Sequence, residues 1–458
     1  MLNLLTLVYN VGILLCWIYP VLRLMRRNYI MKKDTIIPAG TGERMQYVAH
    51  NFNDNTIRFI LHYTGAVQMD ILCQATKAVI DSVDILHSSF IPGNFGSYWN
   101  INSEYDTCDY FTYITDIDNP MDVAISASLK PVAPTNKTQL HCTLAEGHND
   151  FAVAIAISHL CVDGVDGKYL LSKIFDAYQL LLHTGNKNSL NIKNGNRAPE
   201  QIYEKLTHKE YVSLMRNPIS KVKSCFPFPS EETGSLHMVR QYIPASIMET
   251  VHNRAKTENA TINDILLTAC YRAYATLPGI EASAPMSVMS MMDLRQHCHI
   301  GASEGLCNMS GTLPTTLEHG IANTFSDTLS QIVKQTHAAK ENPLAGLEGM
   351  PLVHGAARTL PMWLILQVGA KVYGSFSIGL TNLGNISCDL LTLDGLRPDA
   401  GIFGGPLKKK PAMQISAASF DGTTALAIIG EYTKEDAILL QTMLDTMVQE
   451  VTAYSLKK

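Results

Sequence analysis

The chain alternates short apolar runs with longer stretches in which apolar residues recur every three or four positions. The unbroken apolar run at 151–157 predicts a strand that is buried on both faces. In contrast, the apolar residues of 70–86 fall on one side of a helix, which predicts an amphipathic helix. Both patterns occur in each half of the chain. We therefore expect an α/β protein with mixed sheets (α+β) and two similar lobes.

The pattern predicts elements on both sides of a polar connection. In the first half it predicts strands at 56–65, 139–145 and 151–158 and helices at 70–86 and 164–182. In the second half it predicts strands at 236–243, 284–291, 309–315, 375–380, 412–419 and 425–431, and helices at 246–256, 261–275, 323–340 and 434–454, with Ser246 capping the first of these helices. Residues 186–235, rich in Asn, Lys, Ser and Pro, form a predicted linker with one helix near 209–215. This gives an N-terminal lobe at 31–185 and a C-terminal lobe at 236–458.

The N-terminal segment 1–30 has two interpretations. Residues 4–22 are almost all apolar or uncharged, and Arg23, Arg26 and Arg27 follow at once. Such a stretch is long enough to cross a bilayer, and its positive flank would place the rest of the chain in the cytoplasm. The segment is then a transmembrane anchor that tethers the protein to the inner face of the membrane. Alternatively, the start is misassigned and translation begins at Met31. Both interpretations predict a cytoplasmic globular part.

The composition excludes several classes of function. It is 46% hydrophobic and 17% charged, which is typical of a globular protein with a large core. The net charge of −5 disfavours nucleic acid as a partner. Ten cysteines without a C-x-x-C pair indicate a reducing compartment. His297, Cys298, His299 and Cys307 match no zinc spacing, so we predict no metal site.

The candidate chemistry lies where the buried strand at 151–157 ends, in Ser158-His159-Leu160-Cys161-Val162-Asp163-Gly164. An imidazole at the end of a buried strand is held rigidly and is able to face a cleft, and its pKa lies near neutrality, as a general base requires. Gly164, which has no side chain, would leave room for another part of the backbone or a ligand to approach closely. From the residues alone, His159 is either this base or a core histidine beside a helix-capping Asp163. Ser158 and Cys161 are weaker candidates as nucleophiles because neither has a second base nearby.

His159-x-x-x-Asp163-Gly164 resembles the active-site motif of the CoA-dependent acyltransferase superfamily. That group includes chloramphenicol acetyltransferase, alcohol acetyltransferases, wax-ester synthases and the condensation domains of nonribosomal peptide synthetases. Four further segments resemble the family in order and spacing: residues 260–267, Met292-Asp293-Leu294-Arg295, Cys307-Asn308-Met309-Ser310-Gly311 and Thr381-Asn382-Leu383-Gly384. The resemblance covers about residues 40–455. It implies two chloramphenicol acetyltransferase-like lobes in a pseudo-dimeric arrangement, with a tunnel between them.

The resemblance also implies a reaction and roles for its residues. An HxxxD-type acyltransferase moves an acyl group, other than an amino-acyl group, from a thioester to a hydroxyl or amine. His159 would be the catalytic base. Asn382, with Thr381, would bind the oxyanion or the substrate. Asp163 would pair with Arg295 and, with Gly164, support the site; the alternative is that Asp163 orients His159 as the acid of a triad does. No cofactor would be bound permanently.

Two departures from the family pattern narrow the kind of acyltransferase that we expect. Condensation domains usually carry His-His, whereas Ser158 precedes His159 here, and the plant-type Asp-Phe-Gly-Trp signature is missing. The first point favours a stand-alone alcohol or amine acyltransferase, and the second disfavours the plant-type subgroup. We expect a monomer that uses acyl-CoA and a small alcohol or amine. One alternative is a stand-alone condensation domain that takes thioesters from a carrier protein. Another is a catalytically silent scaffold protein. The sequence names neither the acyl chain nor the acceptor.

Overall fold

The computed structural model describes residues 35–185, 190, 192, 195–216, 224–299, 305–373 and 378–456. The predicted anchor at 4–22 and the first three residues of the strand predicted at 375–380 lie outside these ranges. Within them, no helix is both long enough and apolar enough to cross a membrane.

The N-terminal half contains most of one sheet and the helices that cover it. Its strands are β1 (Ile36–Pro38), β2 (Thr56–Thr64), β3 (Ser88–Ile91), β4 (Tyr98–Ile101), β5 (Phe111–Ile114), β6 (Leu140–Glu146) and β7 (Asp150–Ser158). Its helices are α1 (Thr41–Ala49), α2 (Met69–Asp81), α3 (Thr107–Tyr110), α4 (Pro120–Ser128) and α5 (Gly164–Thr184).

The remaining elements follow the predicted linker, in which α6 (His208–Arg216) matches the predicted helix. The strands are β8 (Ser235–Ile243), β9 (Met286–Asp293), β10 (Ser310–Leu317), β11 (Ile378–Ile386), β12 (Ala400–Gly404), β13 (Met413–Phe420) and β14 (Thr423–Tyr432). The helices are α7 (Ala245–Thr257), α8 (Ile262–Ala275), α9 (Phe325–Glu341), α10 (Met350–Thr359), α11 (Met362–Tyr373) and α12 (Lys434–Leu456).

Two mixed sheets organise the two lobes. One has the strand order β12-β2-β7-β6-β5 and the other β10-β9-β11-β13-β14-β8, while β1, β4 and β3 form a small third sheet. A separate apolar core packs against each large sheet: α2 and α5 cover the first, and α8 and α12 cover the second. The predicted α/β fold with mixed sheets and two lobes is confirmed.

Strand β12 crosses from the C-terminal half of the chain into the N-terminal sheet. It pairs antiparallel with β2, with Ala400 opposite His62 and Gly404 opposite Arg58. The chain then continues beside the residues that precede β2, where Lys409 N donates to Phe52 O at 3.1 Å. The sequence pattern predicted no strand here, because the five-residue segment contains two glycines, which are depleted in strands.

Two predicted helix ends are wrong. The helix predicted at 70–86 stops at Asp81, and a separate 3₁₀ turn, Asp84–His87, follows it. Ser246 does not cap α7, because the helix begins one residue earlier, after Pro244, and has no side-chain cap. In contrast, Thr261 caps α8 as predicted, since its hydroxyl accepts from Asp264 N.

Candidate active site

His159 lies directly after β7, where the central strand of the N-terminal sheet ends. Its backbone N donates to Asn55 O at 2.7 Å, next to the last β2–β7 pair, Thr56 and Ser158. A tight turn follows, in which Cys161 N donates to Ser158 O at 3.0 Å. The histidine backbone is therefore fixed by the sheet on one side and by the turn into α5 on the other.

The imidazole of His159 is held in one tautomer. Its Nδ1 lies 2.6 Å from Val162 O, a carbonyl that accepts only, so Nδ1 carries the proton. The lone pair is then on Nε2. Burial lowers the pKa of His159, against the opposing effects of the Val162 hydrogen bond and the charge of Asp163. The ring is therefore neutral near pH 7, as a general base must be.

Asn308 holds the same residue from the C-terminal half. Its Nδ2 donates to His159 O at 2.7 Å and lies 3.3 Å from the ring Nδ1. Because Nδ1–H and Nδ2–H are both donors, only the contact with the carbonyl is a hydrogen bond. Asn308 Oδ1 in turn accepts from Ser310 N at 3.1 Å. Asn308 belongs to one of the segments that resemble the family, yet sequence reasoning did not select it as a site residue.

Asp163 points away from the imidazole. Its Oδ1 caps α5 by accepting from Val165 N at 3.0 Å and Asp166 N at 3.1 Å. Its Oδ2 lies 2.7 Å from Arg295 Nη1, so the predicted pair is present in the structure. The carboxylate does not receive the Nδ1 proton of His159, which goes to the Val162 carbonyl. This geometry favours the supporting role of Asp163 over the role of a triad acid.

Arg295 binds a second carboxylate that the sequence analysis missed. Its Nη2 lies 2.8 Å from Asp166 Oδ2, which also accepts from Cys307 N at 2.7 Å. Burial, followed by the charge of Asp163, raises the pKa of Asp166 to about 6, and Arg295 offsets only part of this. The cluster of Asp163, Asp166 and Arg295, here called the arginine cluster, joins the start of α5 to the end of β9.

Arg197 stabilises the turn after His159 by binding its backbone carbonyl groups. Its guanidinium donates to Leu160 O at 3.0 Å, Cys161 O at 2.9 Å and Leu306 O at 2.6 Å, and it pairs with Glu43 at 2.8 Å. Arg197 falls in the predicted linker, where no motif singled it out. Its role depends on contacts with residues that are distant in sequence.

Gly164 allows the two halves of the chain to meet. A Cβ at this position would collide with the side chain of Leu383. One turn later in α5, Lys168 Nζ donates to Leu383 O at 3.3 Å. The predicted close approach at Gly164 is therefore an approach by β11, which carries Thr381 and Asn382.

The structure brings His159, Thr381 and Asn382 to one cavity of about 440 Å³. Asn382 Oδ1 accepts from Gly384 N at 2.9 Å, which leaves Nδ2 as its donor. A second cavity, of about 580 Å³, adjoins the first. Six residues line both cavities: Gln46, Met289, Met309, Ser310, Gly311 and Thr312.

The other candidate groups take no part in this cavity. Burial raises the pKa of the Cys161 thiol to about 12, so this cysteine is a packing residue rather than a nucleophile. His297 Nε2 contacts Ala345 O at 2.9 Å. Across the described part of the chain, no group of three or more His, Cys, Asp or Glu side chains is arranged to hold a metal ion.

Comparison with known families identifies the family of the chain. The model of the condensation domain family matches residues 43–351. The chain therefore belongs to the condensation domain family, whose fold is that of the CoA-dependent acyltransferases. Among curated proteins, none matches the sequence significantly.

Solved structures with the same fold include an acetyltransferase, a polyketide synthase associated protein and a synthetase domain. The trichothecene 15-O-acetyltransferase of Fusarium sporotrichioides has a TM-score of 0.66 at 12% identity, over 91% of this chain and 95% of that one. The starter condensation domain of rhizomide synthetase, solved with C8-CoA and Leu-SNAC, has a TM-score of 0.65 at 11% identity, over 93% and 95%. Polyketide synthase associated protein 5 of Mycobacterium tuberculosis has a TM-score of 0.64 at 13% identity, over 92% and 98%. At these identities the likeness shows the fold alone.

Proposed function

We propose that this protein transfers an acyl group from a thioester, with acyl-CoA as the expected donor, to the hydroxyl or amine of a small acceptor. The observation that carries the proposal is the state of His159. Its Nδ1–H is bound to the Val162 carbonyl, so the basic Nε2 is the nitrogen that remains for a substrate in the cavity between the lobes. Burial also keeps the ring neutral, which suits it to accept a proton.

The chemistry needs few other groups, because a thioester is already activated. His159 Nε2 takes the proton of the acceptor hydroxyl or amine as the acceptor attacks the thioester carbonyl. The same proton then passes to the thiolate as it leaves. Asn382 Nδ2, with Thr381 beside it, is our candidate donor to the tetrahedral oxyanion, because Asn382 Oδ1 is already engaged by Gly384 N. Arg295 and Asp163 support the segment that carries the base, and both carboxylate oxygens of Asp163 are already engaged by protein donors.

Two features support a small, freely diffusing pair of substrates. Two adjoining cavities that share part of their lining provide room for a donor and an acceptor. Of the similar structures, one is named as an acetyltransferase and another contains C8-CoA. A carrier-protein thioester remains the alternative donor.

The described cysteines are all free thiols, which fits the predicted cytoplasmic location.

The proposal is tested by thiol release from a panel of acetyl-, octanoyl- and palmitoyl-CoA and matching acyl-carrier-protein thioesters, each with mixed alcohols and amines. His159→Ala is expected to lower turnover by roughly 10²–10⁴-fold, the contribution of a general base, without lowering the melting temperature. His148→Ala, in the exposed β6–β7 loop, is the matched control. Equal turnover in wild type and His159→Ala would contradict the role of His159. A folded wild type that transfers from none of the thioesters would support a silent scaffold instead.

A further inference from the structure

Lys408 enters the cavity of His159 from the segment that follows β12. The backbone of this segment is fixed against the N-terminal lobe: Leu407 N donates to Asp54 Oδ1 at 2.9 Å, and Lys408 forms a β-bridge with Asn53. The fold therefore determines the direction of the lysine side chain. Lys408 lines the same cavity as His159, although the two residues are far apart in sequence.

Its two neighbours also line this cavity, but their ammonium groups are bound to other parts of the protein. Lys409 is exposed, and its Nζ donates to Asn51 O at 3.1 Å. Lys410 Nζ pairs with Asp436 and donates to Ser230 O at 3.1 Å. In the described ranges, the ammonium of Lys408 has no hydrogen-bond or ion-pair partner.

Asp54, the carboxylate whose charge acts on Lys408, has its own partners. Its Oδ1 accepts from the backbone N of Leu407 at 2.9 Å and of Thr56 at 3.2 Å, and its Oδ2 pairs with the buried Arg58. Asp54 therefore does not satisfy the ammonium of Lys408. Among the residues that the structure describes, the ammonium of Lys408 is thus a cation without a counterion.

Lys408 is partly buried. An ammonium that has lost part of its water without gaining a partner is unfavourable, and an anion that enters the cavity would relieve this cost. Burial lowers the pKa of Lys408 to about 8, and the charge of Asp54 offsets part of this effect. Lys408 is thus still mainly protonated near pH 7. The charge of Lys408 also lowers the pKa of His159, so the two side chains are near enough to interact electrostatically.

We propose that Lys408 is an anion-binding residue of the catalytic cavity, and that one of the two substrates presents a carboxylate or phosphate to it. The proposal rests on the proposed function and specifies its substrate class. The anion has two possible sources: a phosphate of the CoA donor, or a carboxylate on the acceptor or acyl chain. Both would bind the same ammonium, and the experiment separates them.

Protection of Lys408 from acetylation tests anion binding without turnover. His159→Ala protein is treated with N-hydroxysuccinimidyl acetate, and modification of each lysine is measured by peptide mass spectrometry. The probes are coenzyme A against pantetheine, and lactate, malate and citrate against their amides. An anionic probe at saturation should slow labelling of Lys408 by at least ~10-fold, the effect of one charge-assisted hydrogen bond. The neutral counterpart should not slow it, and labelling of the exposed Lys434, outside both cavities, should not change. Lack of protection by every anion would overturn the proposal.

Kinetics then identify the substrate that carries the anion. Lys408→Met should raise KM for that substrate by roughly 10- to 100-fold with little change in kcat, and Lys408→Arg should restore most of the loss. The same variant should leave KM for the neutral analogue unchanged, and Lys434→Met, at an exposed site outside both cavities, is the charge-matched control. An equal loss for charged and neutral substrates would show a structural role and refute anion binding. If the wild type transfers no acyl group, the proposed function fails, while the labelling result still decides whether Lys408 binds anions.

Discussion

The two walls of the catalytic cavity are bonded in different ways. The bonded wall, His159–Asp166 with Arg295, uses nearly every polar group: Asp163 and Asp166 accept from backbone N–H groups as well as from Arg295. The open wall, Thr381–Leu383 with Lys408, leaves donors toward the cavity: Asn382 Nδ2 and the Lys408 ammonium lack partners in the described ranges.

This difference separates positioning from recognition. A polar group that is satisfied by the protein is able to hold a neighbour in place but has little left for a substrate. A donor that is directed into a cavity and unsatisfied gains most when a ligand arrives. We therefore expect changes at Asp163, Asp166 and Arg295 of the bonded wall to affect stability and catalysis together, and changes in the open wall, like the loss of the His159 base itself, to affect catalysis alone.

The largest expected effect is that of Arg295→Ala. It leaves Asp163 and Asp166 buried without their cation, which should cost about 3–5 kcal/mol of unfolding free energy and most of the activity. Urea unfolding and thiol-release assays measure the two losses. The control is Arg397→Ala, which removes exposed pairs and should cost less than about 1 kcal/mol. Unchanged stability in Arg295→Ala would contradict the role assigned to the bonded wall.

Asn382→Ala should show the opposite profile. Loss of one oxyanion donor is expected to lower kcat by roughly 10²–10³-fold, with a melting temperature close to that of the wild type. Gly384 N would lose its acceptor, but this amide lies where the pairing of β11 with β13 is irregular, between Asn382 and Asn385, so stability should change little. A large drop in melting temperature with normal kcat would place Asn382 with the bonded wall instead.

Asp166 should make stability depend on pH. Because its pKa in the folded protein is raised from 3.8 to about 6, the folded protein binds more protons than the unfolded chain between about pH 4 and pH 6. Stability should therefore fall as pH rises through this range, by at most about 3 kcal/mol. Asp166→Asn should flatten that part of the curve, whereas Asp389→Asn, at an exposed site, should not. Identical curves of stability against pH for wild type and Asp166→Asn would show that the arginine cluster does not raise the pKa of this carboxylate.

The smallest expected effect on stability comes from His62, which contacts the residue before β12, the strand that leads to Lys408. His62 lies between Asp150 at 3.0 Å and Asp399 at 2.5 Å. Burial disfavours its charge, but the hydrogen bonds to Asp399 and Asp150 outweigh burial and raise its pKa. The stabilisation is thus complete below the ordinary histidine pKa of 6.5 and is lost as pH rises through the raised value.

His62→Gln should remove this loss, which is below about 1 kcal/mol because the partners are partly exposed. Thermal melts between pH 5 and pH 9 measure it, and His148→Gln is the exposed control. If the wild type became more stable as the pH rises through this range and His62→Gln did not, the expected sign would be wrong.

Sequence patterns predicted the features that depend on neighbouring residues. The buried strand ending at His159, the helix that begins at Gly164 and the capped start of α8 each come from local periodicity or capping. The pair Asp163–Arg295 joins residues that are 132 positions apart, and it was predicted only through a resemblance to a family. Asn308, Arg197 and Lys408 were missed because their roles arise from contacts made after folding.

The predicted domain boundaries remain a prediction, and β12 shows why sequence alone is a limited guide to them. Residues 400–404 lie within the predicted C-terminal lobe, yet their hydrogen bonds complete the sheet of the N-terminal half. Backbone groups pair with whichever strand edge the tertiary fold offers, and no periodicity in the strand itself records which edge that is.

The sequence by itself determined the fold class, the placement of a histidine at the end of a buried strand and the class of chemistry that such a histidine suits. These follow from hydrophobic burial and local hydrogen bonding, which adjacent residues encode. Only the tertiary structure decided that the His159 proton is on Nδ1, that Arg295 bridges Asp163 and Asp166, and that Lys408 lines the cavity of the base. Each of these depends on electrostatics and hydrogen bonds between distant segments, and their distances exist only once the two halves have packed together.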